Sequence, residues 1–140
     1  MQLKEIMTPD VERIQKDLTV QEAAQKMKTL NVGMIPVYNG DRLVGMLTDR
    51  DITIRSVAEG RDPRTTPVNA VMTPEVVYCF EDQTIDEAAK VMEDQQIRRL
   101  IILNRDKRLV GIVSLGDLAT QRGGQRAAGE ALEKISQAAA

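Results

Sequence analysis

The sequence predicts an α+β fold built from two copies of one strand-helix-strand-strand-helix unit. Three observations predict it. Residues 7–41 align with 72–106 without a gap, from MTPDV over MTPEV to NGD over NRD. Each copy carries a Thr-x-x-Glu box directly ahead of an apolar stripe at helical spacing. Each copy then has two short apolar runs around turn-forming residues.

The elements follow in order. A short strand is expected at 11–15. Thr19 in T-V-Q-E and Thr84 in T-I-D-E each open a helix, the hydroxyl taking an orphan N–H and the Glu reaching back. Val20, Ala23, Ala24 and Met27 then share one helix face, as do Ile85, Ala88, Ala89 and Met92. MIPVY (34–38) and LVGML (43–47) form a hairpin around NGDR, matched by LIIL (100–103) and LVGIV (109–113) around NRDK. A second helix is expected at 49–59 and at 115–121, ending at Gly60 and at Gly123-Gly124. The two glycines account for GGQ (123–125) better than a peptide-release motif does.

The repeat is about 47 residues long. A unit of that size buries too little surface to stand alone, and two packed sheet to sheet meet the need. The boundaries that follow are 1–60 for the first repeat, 61–70 for a linker, 71–122 for the second repeat and 123–140 for a tail. The linker has prolines and charge without a period, which predicts an ordered surface crossing. The tail predicts an amphipathic helix with Leu132 and Ile135 on one side.

Composition excludes several functions. The 140 residues are 42% hydrophobic, 29% charged and 2% aromatic, with a net charge of −2. So few aromatics give no stacking platform for single strands, and the charge gives no pull toward nucleic acid or an anionic membrane. There is no His, which removes His-based acid–base and triad chemistry and most zinc sites. Cys79 lies in the apolar run VVYCF, where a buried inert thiol is expected, and one Cys forms no internal disulfide. No early apolar segment and no long apolar stretch occurs, so a cytoplasmic protein is expected.

The candidate site is a repeated hydroxyl-x-x-Asp pair after RLVG: Thr48 with Asp51, and Ser114 with Asp117. Capping is one reading of that spacing. Asp is one methylene shorter than Glu and is expected to reach back to the cap less well. Gly45 and Gly111 sit inside the preceding strands, where glycine marks close approach of another backbone or of a ligand. A helix N-terminus also favours phosphate, and a carboxylate one turn in accepts ribose hydroxyls. The same pair can do both.

The order MTP, T-x-x-E-A-A, IPV and RLVGMLTDRD, present twice over residues 3–121, resembles the CBS domain (named for cystathionine β-synthase) in its tandem, or Bateman, form. The resemblance implies repeats packed through their sheets with pseudo-twofold symmetry. It implies two clefts for AMP, ADP or ATP, with Mg²⁺ arriving alongside ATP and no cofactor required. Asp51 and Asp117 would take the ribose, and Thr48 and Ser114 ribose or phosphate. Ile35, Pro36 and Val37, and Leu100, Ile101 and Ile102, would line the adenine, with backbone near 11–13 and 76–78. Arg98 and Arg99 replace Gly33 and Met34 in the second copy, so a basic residue toward phosphate is expected there. Arg50 and Arg55 would serve the first copy. Ile101 stands where Pro36 does, and Leu115-Gly116 where Asp49-Arg50 do.

The expected function is a non-enzymatic regulatory module, paired as a homodimer, passing ligand occupancy to a separate protein. A ligand-free interaction dimer and a binder of S-adenosylmethionine or NAD are the alternatives.

Overall fold

The structure is a computed structural model and describes residues 1–121 and 123–137. Arg122 of the RGGQR stretch and the last three residues of the tail lie outside the described residues. The fold is α+β. The chain divides into two compact units, Glu12–Val76 (the first unit) and Met1–Val11 with Val77 onward (the second unit).

In the first unit, β2 (Ile14–Gln15) leads through α1 (Val20–Leu30) to β3 (Met34–Asn39), which pairs with β2 in parallel. Gly40, at φ +63°, turns the chain into β4 (Arg42–Thr48), antiparallel to β3. A glycine suits that left-handed position because it has no Cβ to clash. The next helix starts as α2 (Asp49–Ile52) and continues as a π-helical turn, Thr53–Val57. Val20, Ala23 and Met27 of α1 close over Ile35, Val37 and Leu47 to make the core.

The second unit repeats this order with β5 (Tyr78–Phe80), α3 (Ile85–Gln95), β6 (Arg99–Leu103), β7 (Leu109–Ser114) and α4 (Leu115–Ala119). The longer β6–β7 turn is tied by Asn104, whose Oδ1 accepts from the backbone N–H of Asp106 and of Arg108. Ala88, Ala89 and Met92 of α3 cover Leu100, Ile102 and Val113.

The units are not the sequence repeats. The MTP lead-in of each repeat packs into the body of the other repeat's unit. β1 (Thr8–Pro9) pairs with β7, Thr8 opposite Ile112 and Pro9 opposite Gly111, and Leu3 is fully buried in the second unit's core. In the first unit Thr73 bridges Met46 through two backbone bonds of 2.8 and 2.9 Å. The glycines explain the fit. A Cβ on Gly45 would stand 2.6 Å from the Thr73 carbonyl oxygen, and one on Gly111 would stand 2.8 Å from that of Thr8. The approaching group in these strands is therefore backbone, not a ligand.

The 61–70 stretch is more than a surface crossing. Val68 is fully buried in the first unit's core. The carbonyls of Thr66 and Pro63 accept from the N–H groups of Val20 and Gln21, satisfying orphan donors at the start of α1. The tail forms α5 (Gln125–Gln137) and packs on α3 and α4 through Ala128, Ala131 and Ile135. Leu132, expected beside Ile135, is 44% exposed. Alanines let the helices approach closely, and that close stripe wins over the one that includes Leu132.

Candidate functional site

Both hydroxyl-x-x-Asp pairs sit where a strand runs into a helix, and both form complete capping boxes. Thr48 Oγ1 accepts from the Asp51 N–H at 3.0 Å, and Asp51 Oδ2 accepts from the Thr48 N–H at 3.0 Å. Ser114 Oγ accepts from the Asp117 N–H at 3.0 Å, and Asp117 Oδ2 accepts from the Ser114 N–H at 2.8 Å. The shorter Asp side chain reaches back without difficulty. At Thr19 the expected box is only half made, since Glu22 bonds the Thr19 hydroxyl rather than its N–H.

The two carboxylates differ in what else they hold. Asp51 is 8% exposed. The Thr73 hydroxyl donates to its two oxygens at 3.2 and 3.3 Å, and Arg55 Nε lies 3.9 Å from Oδ1. Arg55 also donates to the Met72 carbonyl at 3.0 Å, so it is anchored inside the unit. Asp117 is only half-buried. Among the described residues its side-chain oxygens accept only the Ser114 N–H. Thr8, which matches Thr73 in the repeat, is exposed.

The strand residues divide by face, because side chains alternate along a strand. Ile35 and Val37 belong to the first unit's core, and Leu100 and Ile102 to the second's. To a ligand these offer backbone only. Pro36 and Ile101 are also buried but stand on the opposite strand face, outside those clusters. Arg50 is exposed on α2. Arg13 lies 4.5 Å over the Tyr38 ring, and Tyr78 is partly exposed at the start of β5.

The second unit also holds a cavity of about 650 Å³. Arg98, Arg99, Ser114, Leu115 and Gly116 form one side, and α5 supplies the other through Gln125, Ala128, Gly129 and Leu132. Ser114 thus belongs both to the capping box and to the cavity wall. Among the described residues no carboxylate lines this space, that of Asp117 included, while Arg98 and Arg99 do. Sequence reasoning found the arginines and Ser114 but missed Thr73 and the α5 wall. The repeated MTP motif was the signal for Thr73, and the lone Gly129 within a helical stretch was the signal for the wall. Cys79 is buried, and burial pushes its thiol up to about 11. No helix among the described residues is long and apolar enough to cross a membrane.

Comparison with known proteins agrees with this architecture. The CBS domain family matches residues 3–57 and again 68–123. The chain is 46% identical over 134 residues to the CBS domain-containing protein YhcV of Bacillus subtilis (strain 168), covering 96% of this chain and 94% of that one. The crystal structure of Hypoxic Response Protein I with two coordinated zinc ions is similar at TM-score 0.77 and 36% identity, covering 87% of this chain and 99% of that one. Soft donors for zinc are lacking here, since there is no His and the one Cys is buried. The CBS domain pair of protein MJ0100, in complex with 5-methylthioadenosine and S-adenosyl-L-methionine, is similar at TM-score 0.78 and 25% identity, covering 89% and 98%. With a repeated motif, a repeated fold and two family matches spanning most of its length, this chain belongs to the CBS domain family as a tandem pair.

Proposed function

We propose that the chain is a non-enzymatic regulatory module that binds an adenine nucleotide, AMP, ADP or ATP, at the second unit's Ser114–Asp117 pair. One observation carries the choice of site: Asp51 is buried and already bonded to Thr48 and Thr73, whereas Asp117 is more open and, among the described residues, holds only its cap. The resemblance that assigns ribose to this aspartate, and the adenosyl ligands of MJ0100, support an adenosyl ligand. The charge beside Ser114 supports a phosphorylated one. Arg98 and Arg99 attract phosphate, with Mg²⁺ accompanying ATP, and repel the sulfonium of S-adenosylmethionine.

Thr48, Asp51, Arg50 and Arg55 form a weaker first site in this reading, closed by its own contacts. Pro36 and Ile101 are the strand side chains left for a base. Ile54 and Val57 expose large apolar side chains, which suits burial against a second copy in a homodimer. A cytoplasmic location and a separate regulated protein complete the reading. The ligand acts by favouring the arrangement it binds better.

Calorimetric titration of nucleotide-free protein with AMP, ADP, ATP and S-adenosylmethionine tests it. Asp117→Asn removes the charge while its amide oxygen still caps Ser114. Saturable nucleotide binding lost in Asp117→Asn but kept in Asp51→Asn is expected. Heat with none of the ligands would favour the unliganded interaction dimer.

A further inference from the structure

The cavity beside Ser114 has walls of two origins. One belongs to the repeat, with Arg98 and Arg99 at the start of β6. The other is α5, which follows the second repeat and has no counterpart after the first.

This second wall is held in place. Ala128, Ala131 and Ile135 are buried against α3 and α4, and Lys134 Nζ reaches Glu93 at 3.3 Å. Gly123, at φ +83°, turns the chain, and Gly124 presses against the Leu118 carbonyl so closely that no Cβ fits there. The helix cannot easily retreat, so the size of its inward residues sets the room left in the cavity.

Gly129 is the telling position. It lines the cavity from an exposed position in the middle of a 13-residue helix, and among the described residues nothing lies within 4 Å of where its Cβ would stand. Glycine inside a helix is less favourable than alanine, since it gives up more backbone freedom and adds no side chain. Packing among the described residues does not require it, and a larger side chain there would stand at the open side of the cavity that Gly129 lines. We infer that α5 is the size-limiting wall of the ligand site in the second unit, bounding the phosphate chain that Arg98 and Arg99 hold. The inference rests on the nucleotide reading above. It adds that the tail decides how long a phosphate chain the site accepts.

The test compares ATP and AMP binding by calorimetry in the wild type, Gly129→Ala, Gly129→Leu and Arg98→Ala/Arg99→Ala, with thermal melts beside each. Gly129→Leu is expected to weaken ATP by about tenfold or more, and AMP less, without lowering the melting temperature. Gly129→Ala should keep ATP binding and melt higher. The double arginine variant should narrow the preference for ATP over AMP. Unchanged ATP affinity in Gly129→Leu, with binding still lost in Asp117→Asn, overturns the wall and spares the nucleotide site. Binding lost only in Asp51→Asn places the ligand in the first unit and overturns the wall. A wild type that binds no nucleotide overturns both readings.

Discussion

Gly45 and Gly111 show how a single absent methyl group shapes each unit. A Cβ on Gly111 would stand 2.6 Å from Met7 Sδ and 2.8 Å from the Thr8 carbonyl oxygen. The sulfur belongs to a flexible side chain and can move, but the carbonyl belongs to a paired strand. Gly111→Ala is therefore expected to destabilise by about 1–3 kcal/mol, read as a lower urea midpoint at unchanged slope. Gly45→Ala should act alike in the first unit. The sequence marked both glycines as sites of close approach and left open what approaches. A strand pattern carries no record of which distant segment lies against it. The same holds for Asp51. Its spacing from Thr48 was legible, but the bond from Thr73 required knowing which lead-in docks on which unit.

Among the elements, α3 is the most clearly written. Thr84 and Glu87 form the full box, with Glu87 accepting the Thr84 N–H at 3.1 Å and a bond from Gln83 Nε2 at 3.2 Å. Those bonds, Gln83's first, hold the Glu87 carboxyl below its usual range. Arg105 lowers Asp82 in the same way through bonds of 2.8 and 2.9 Å, and its guanidinium lies 4.1 Å over the Phe80 ring. Both carboxylates are depressed, so their contribution is whole above the unfolded values, near about pH 4, and fades as pH falls through the lower folded values. Thermal melts are expected to drop below about pH 4, with a shallower drop in Glu87→Gln. Solvent exposure keeps each effect small. By contrast α5 was legible as a helix but not in its buried face. Its Ala128, Ala131 and Ile135 stripe is chosen by α3 and α4, which local sequence does not describe.

For the whole molecule, the lead-in exchange has a testable consequence. Leu3 is in the second unit's core, β1 extends its sheet, and the N–H groups of Leu3 and Lys4 donate to the Gln83 and Glu81 carbonyls. Deleting residues 1–9 is expected to loosen the second unit, although those residues precede the first repeat. Hydrogen exchange should quicken in β6 and β7 while β3 and β4 stay protected, and faster exchange in β3 and β4 alone would contradict this. The sequence by itself determined the repeat, the strand and helix order, the hairpins, the caps and the twin aspartates. These are local patterns, set by side-chain period, cap chemistry and turn residues within a few positions of one another. Only the tertiary structure decided that the lead-ins are exchanged, that the strand glycines admit backbone, that one aspartate is closed and the other more open, and that α5 walls a cavity. Each of those depends on residues far apart in the chain, and their meeting is set by which apolar surfaces bury each other best.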